Sequence, residues 1–313
     1  MSHPQPRIFF IVGSPRSGTT LLQTMLMQAP GVTIPPETHF VSLTYDRRRI
    51  HGPIETDAGW LAGTEAILKR NALAEFPIAD DRLRERLAEP GPRTYARMLT
   101  NWLSLCAEHA EAGTVGEKSP GHTEHIPRLA EWFPDARFVH IVRDPRDVAL
   151  SHAEVWDRST LQAALRWRFD QRLVRSAGGL LEHRIRTVRY EDLVAEPAGT
   201  IRAAAAFLGI EFVEAMTDPS NRTQTGFAAY EKHKQQTLEK VTTSRIQRYK
   251  GKLAASAVAE IQLLCGREMR RLGYEPEPAG LLKGLTAAAA DTPKLLADHA
   301  ARHLRIRRNV HRN

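Results

Sequence analysis

The chain has 313 residues, 44 Lys and Arg against 36 Asp and Glu, and a formal net charge of +8; that length can bury an ample core, as one large α/β domain or two small ones. The basic balance raises nucleic-acid binding, but five arginines (Arg302, Arg305, Arg307, Arg308 and Arg312) lie in a terminal stretch without an acid; the rest is mildly basic, which suits a binder of a small polyanion. Two cysteines, Cys106 and Cys265, give no disulfide framework or zinc site, and with no apolar run of signal-peptide or membrane-spanning length a reducing cytoplasm is the expected compartment.

Residues 8–12, Ile-Phe-Phe-Ile-Val, form a short apolar run stopped by Gly13, the pattern of a buried strand. Leu21, Leu22, Met25 and Leu26 then recur at helical spacing, so Gly13-Ser14-Pro15-Arg16-Ser17-Gly18-Thr19-Thr20 is a turn between a strand and a helix start. Such a loop points successive N–H groups inward and adds the partial positive charge of a helix N-terminus, which together make an anion cradle. The spacing is that of the nucleotide P-loop, G-x-x-x-x-G-K-[ST], but Thr19 stands where nucleotide triphosphatases place lysine. Arg16 supplies a cation in mid-loop instead, with N–H donors expected from Ser17, Gly18, Thr19 and Thr20.

Residues 42–114 change texture. Helical periodicity appears at 54–76, 81–87 and 95–111 with no strand between, which reads as a helical insertion folded over the mouth of the loop. A strand at 115–118 ends in Glu117-Lys118-Ser119-Pro120. A helix at about 124–132 leads to a strand at 137–142, stopped by Arg143-Asp144-Pro145, where Asp144 suits an N-cap and Pro145 the first helical position. Ser151 then lies about 10 Å along that helix, so Arg143 and Ser151 can meet one anion against that flank.

An amphipathic helix at 161–182, a strand at 185–190, a helix at 197–208 closed by Gly209, a polar loop at 226–249 and a helix at 255–272 complete the pattern. The alternation predicts an α/β fold: a P-loop-like parallel sheet flanked by helices, with a helical insertion after the first βα unit and sites at the carboxyl ends of the strands. Residues 1–278 read as a single domain and 279–313 as a basic helical or mobile tail. That tail could grip an acidic acceptor, a carrier protein or a membrane surface, although such runs are more often simply solvated.

From Phe9 to about Gly273 the chain resembles the sulfotransferases that use 3′-phosphoadenosine-5′-phosphosulfate (PAPS). The loop at 13–20 resembles their 5′-phosphosulfate loop, and the run from Phe133 through Arg143 to Ser151 looks like their 3′-phosphate block. Arg189-Tyr190-Glu191-Asp192-Leu193 is a further family-like passage. The resemblance implies PAPS as sulfuryl donor, adenosine-3′,5′-bisphosphate as product, no metal and no nucleic acid, and a hydroxyl-bearing acceptor: a small molecule, glycan, lipid or peptide. It also implies that Arg143 and Ser151 hold the 3′-phosphate, and that the 244–252 stretch resembles a C-terminal cofactor-contacting loop, with Arg248 the residue chosen there.

Arg16 and Lys118 are the expected stabilisers of the transferring group. Cytosolic small-molecule members use a histidine two residues beyond a lysine, a position held here by Pro120. The loop, with Arg16 and Leu21 in place of lysine and tryptophan, looks more like the tyrosylprotein branch, whose catalytic glutamate falls at the spacing of Glu37. Pro36 departs from that branch by replacing an acidic neighbour. Glu37 is therefore the expected general base, His122 the rival, and His39 and His122 candidate substrate contacts. A P-loop kinase of unusual loop chemistry and a catalytically silent nucleic-acid or anion-binding module remain the alternative classes.

Overall fold

A computed structural model describes residues 5–181, 183–218, 220, 227 and 231–277. Glu182, most of 219–230 and the basic tail expected at 279–313 lie outside the described residues.

The chain enters through β1 (Arg7–Val12), turns at the glycine-containing loop and continues as α1 (Thr19–Leu26) and a two-residue strand β2 (Val32–Thr33). The inserted region holds α2 (Phe40–Leu43), α3 (Arg48–His51), α4 (Asp57–Leu73), α5 (Asp80–Ala88) and α6 (Tyr95–His109). Next come β3 (Thr114–Lys118), a 3-10 turn (Pro120–His125), α7 (Ile126–Trp132) and β4 (Arg137–Val142). After α8 (Pro145–Trp156) and α9 (Thr160–Leu180) come β5 (Ile185–Arg189), α10 (Tyr190–Ala195) and α11 (Pro197–Leu208). A 3-10 helix at Lys232–Leu238 precedes α12 (Ala255–Arg271).

The strands form one sheet in the order β2-β3-β1-β4-β5, with every pair parallel. The expected α/β sheet is thus present, enlarged by β2, which is too short to leave a periodic signal. Phe10, fully buried on β1, stacks on Phe138 of β4 at 5.2 Å and tilts against Phe133 at 5.5 Å. Each such phenylalanine contributes about 1.5–3 kcal/mol by burial, which fixes β1 at the sheet centre and so the loop that follows it.

The element boundaries have local causes. Helix α4 starts later than the periodicity suggests because Thr56 caps it, its hydroxyl accepting from Gly59 N–H at 3.1 Å. The helix expected from about 124 begins as a 3-10 turn at Pro120 and becomes α-helical at Ile126.

The chain divides into two compact units, Met1–Arg143 with Arg172–Ser244, and Asp144–Gln171 with Arg245–Asn313. The first contains the whole sheet, the loop and the inserted helices. In the second, α8 packs on α12. There Asp144 caps α8 and grips Arg146 at 2.6 Å, while Arg146 also reaches Gln262 at 2.9 Å and lies 4.4 Å over the Tyr249 ring. Asp147 accepts from the backbone N–H groups of Gln247 and Tyr249, which pins the 247–249 segment to α8. No helix among the described residues is long and apolar enough to cross a membrane.

Candidate active site

The loop between β1 and α1 is shaped by two glycines that tolerate no side chain. Gly13 (φ 154°) would bring a Cβ to 2.3 Å from the Ile141 carbonyl oxygen, and Gly18 (φ 98°) would bring one to 2.5 Å from Cδ2 of Tyr190. Arg16 also holds a positive φ of 70°. Ser17 N–H closes the turn on Ser14 O at 3.2 Å, and α1 starts at Thr19 without a side-chain cap, so the first helical N–H groups remain available to an anion. The Ser17 hydroxyl is buried and has no hydrogen-bond partner among the described residues. A buried, unanswered hydroxyl costs roughly 1–3 kcal/mol. Beside glycine-backed N–H groups it fits a site built for an oxyanion.

Arg143, at the end of β4, lies against the same loop. Its Nη1 reaches the Arg16 carbonyl at 3.4 Å, and its guanidinium sits 4.5 Å over the ring of Tyr190. Tyr190 thereby underlies Gly18 and Arg143 together, which explains the family-like Arg-Tyr-Glu-Asp passage. Ser151, the other expected 3′-phosphate residue, and Arg248, expected in the C-terminal cofactor-contacting loop, belong to the second unit. Ser151 is buried on α8, and Arg248 pairs with Glu154 at 3.1 Å.

The carboxyl end of β3 carries the densest chemistry. Lys118 lies opposite Ile11 in the parallel register, one strand from the loop, and is fully buried. Its Nζ meets Oε1 of Glu37 at 2.5 Å, and Lys234, from the 3-10 helix at Lys232–Leu238, meets the same oxygen at 2.8 Å. His39 Nε2 lies 3.4 Å from Oε2 of Glu37. Arg70, on α4 of the insertion, donates to the Glu37 carbonyl through Nε at 2.8 Å and Nη2 at 2.6 Å, so the insertion positions the backbone of this residue.

Burial alone would raise the Glu37 pKa, but Lys118, Lys234 and His39 outweigh it and hold the carboxyl far below the usual range. Burial, with Lys234 adding to it and Glu37 opposing, pulls Lys118 down to about 8. Lys234 is also pushed down by burial, yet Glu37 and Glu231 carry it above its ordinary value.

Behind this cluster stands Glu117, buried beside Lys118 on the same strand. Its Oε1 accepts from Thr38 at 2.7 Å and Ser119 at 2.6 Å, and its Oε2 lies 2.6 Å from Nδ1 of His122. Val41 N–H donates to the other ring nitrogen of His122 at 3.3 Å, so Nε2 is the acceptor and Nδ1 carries the proton toward Glu117. Thr123 ties this turn to the loop, its hydroxyl accepting from Gly13 N–H at 2.9 Å.

The structure thus brings Glu37, His39, Lys118 and His122 together, and Arg16 to Thr20 with Arg143. His122 has both nitrogens committed. Sequence reasoning missed Glu117, Arg70, Glu231 and Lys234. Only Glu117 left a trace, as the neighbour of Lys118. Among the described residues no group of three or more His, Cys, Asp or Glu side chains could hold a metal ion.

A parallel sheet with a glycine-shaped loop at the carboxyl end of its central strand, and paired charges at the end of the next strand, has the layout expected of a group-transfer enzyme with an anionic donor. The family model described as "Sulfotransferase family" matches residues 6–214, and the chain belongs to that family of PAPS-dependent enzymes. It is 23% identical to protein-tyrosine sulfotransferase 1 of Danio rerio over 86% of this chain and 72% of that protein. The sulfotransferase domain of the Synechococcus PCC 7002 olefin synthase superposes with a TM-score of 0.62 at 24% identity, covering 88% of this chain and 98% of that one. A mouse sulfotransferase solved in complex with PAP, SULT7A1, superposes at 0.51 with 12% identity over 93% and 90% of the two chains. These structural likenesses share the five-stranded parallel α/β fold.

Proposed function

We propose that this sulfotransferase moves the sulfuryl group of PAPS to an acceptor hydroxyl by in-line displacement, with Glu37 as general base. The observation that carries the reading is the Glu37 carboxylate held 2.5 Å from buried Lys118 at the end of the strand beside the loop. When bound, PAPS supplies an activated sulfuryl group on a phosphate leaving group. Arg16, Ser17, Gly18, Thr19 and Thr20 hold the phosphosulfate end. Arg143 would take the 3′-phosphate, and within the second unit Ser151 and Arg248 are the further cofactor contacts that the family resemblance implies. Arg16 and Lys118 offset the charge that builds on the equatorial and leaving oxygens.

Glu37 orients the acceptor hydroxyl and takes its proton. A carboxylate held this far below its usual range would accept that proton late, once the hydroxyl has become strongly acidic. His39, beside Oε2, is the proposed acceptor contact; His122 supports the wall behind it through Glu117. The likeness to protein-tyrosine sulfotransferases favours a hydroxyl acceptor without fixing its class.

Two measurements test the reading. Calorimetric titration without metal should show tight binding of adenosine-3′,5′-bisphosphate and little binding of magnesium–ATP; the reverse would favour a kinase. A labelled-sulfate transfer screen across peptides, glycans, lipids and small phenols should then reveal the acceptor class.

A further inference from the structure

Glu37 has more cations than a base needs. Lys118 and Lys234 share one oxygen, and Lys234 is itself held by Glu231 at 2.5 Å. Lys234 lies 197 residues from Glu37 in sequence, and its 3-10 helix packs on α1, the helix that opens from the anion loop. Burying a long cationic side chain is costly unless it is paired. Lys234 is 7% exposed, and its two partners are Glu37 and a carboxylate three residues away. A lysine serving only its local turn would need Glu231 alone and could stay in water.

We propose that Lys234 is a positioning residue of the transfer site: with Lys118 it fixes Oε1 of Glu37, leaving Oε2 to work on the acceptor, while Glu231 fixes Lys234. This rests on the proposed role of Glu37 as base. The charged groups facing the Glu37 carboxylate are Lys118 from β3 and Lys234 from the 3-10 helix, and the titratable His39 faces it from its own turn, with burial pulling the imidazole below its ordinary value. Arg70 of α4 holds the backbone carbonyl, and Glu231 and Glu117 stand behind the two lysines. Lys118 and Lys234 repel each other across the shared oxygen, so removal of one must be felt by the other.

The test compares Lys234→Met, Lys234→Arg and Glu231→Gln in the full chain. NMR titration of ε-labelled lysines, with Lys118 assigned through Lys118→Met, should place its midpoint at about 8 in the parent. Lys234→Met should move that midpoint upward by about half a unit or more, because a like charge is gone, and Lys234→Arg should leave it in place. In transfer assays Lys234→Met should lower kcat about tenfold with little change in the KM for PAPS, Glu231→Gln should lie between, and Lys234→Arg should restore most of the loss.

An unmoved Lys118 midpoint in Lys234→Met, or a loss confined to thermal stability with kcat intact, overturns the proposal. Glu37→Gln, measured alongside, separates the two levels. Full turnover in that variant removes Glu37 as base, while the Lys118 titration still decides whether Lys234 shares the site.

Discussion

The Thr38 hydroxyl donates to Oε1 of Glu117 at 2.7 Å, joining the turn that carries Glu37 to the strand that carries Lys118. The Ser119 hydroxyl does the same from the other segment, donating to Glu117 at 2.6 Å while accepting from His39 N–H at 3.0 Å. Glu117 therefore sets the distance between base and cation without touching either.

Replacing Glu117 should cost both stability and turnover. Glu117→Ala strands three buried donors, those of Thr38, Ser119 and His122, and should destabilise by about 3–5 kcal/mol, read by denaturant unfolding. Glu117→Gln is the sharper variant. Its amide nitrogen must oppose either the His122 Nδ1–H or the two hydroxyls. A tautomer change at His122 would then set Nε2–H against the Val41 N–H, so a loss of about 1–3 kcal/mol is expected. Parent-like stability in Glu117→Gln would show that the network is looser than its distances indicate.

Glu37→Ala should lower turnover by about 10²- to 10⁴-fold, the usual worth of a general base, with adenosine-3′,5′-bisphosphate affinity nearly unchanged because the loop and Arg143 are untouched. Single-turnover sulfate transfer and calorimetry on one preparation check both halves. Activity that survives in Glu37→Ala and falls in His122→Ala would assign the base to His122, despite both its nitrogens being engaged.

The loop and its strand were legible because they obey local rules: a run of apolar residues stopped by glycine, and a motif whose spacing reflects how backbone N–H groups surround an anion. Arg143 and the helix after Pro145 were legible for the same reason. Glu37 and Lys118 were found through family spacing, and what joins them was hidden. Their contact spans 81 positions and that of Lys234 spans 197, with neither periodicity nor capping to announce either. Lys234 sits in a polar stretch that reads as loop, and Arg70 on a helix whose periodicity speaks only of its apolar face. Strand β2, two residues long, falls below any pattern.

Gly18→Ala should disable the loop while sparing the sheet. Its φ of 98° is strained for any L side chain, and the new Cβ would meet Tyr190 at 2.5 Å. The ring can yield only by shifting beneath Arg143, which it supports at 4.5 Å. We expect a loss of about 1–3 kcal/mol in stability and at least a tenfold weaker affinity for adenosine-3′,5′-bisphosphate. Unchanged calorimetry would mean that the loop does not hold the cofactor.

Cofactor capture should also weaken in mild alkali. Burial pulls Lys118 down to about 8, so this lysine is a cation below that pH and becomes neutral above it. A neutral Lys118 offers nothing to an anionic donor and ceases to compensate Glu37. Since kcat/KM reports the free enzyme, kcat/KM for PAPS should hold below about pH 8 and fall as pH rises through it, whereas kcat, measured with the anion bound and the lysine's charged form favoured, should fall only at higher pH. On the acid side Glu37, kept far below the usual carboxylate range, stays ionised down through pH 5 and imposes no limb there. A profile of kcat/KM against pH for the parent and for Lys118→Arg, whose guanidinium does not titrate, checks the assignment. The limb near pH 8 should disappear in the arginine variant, and its persistence would assign the titration to another group.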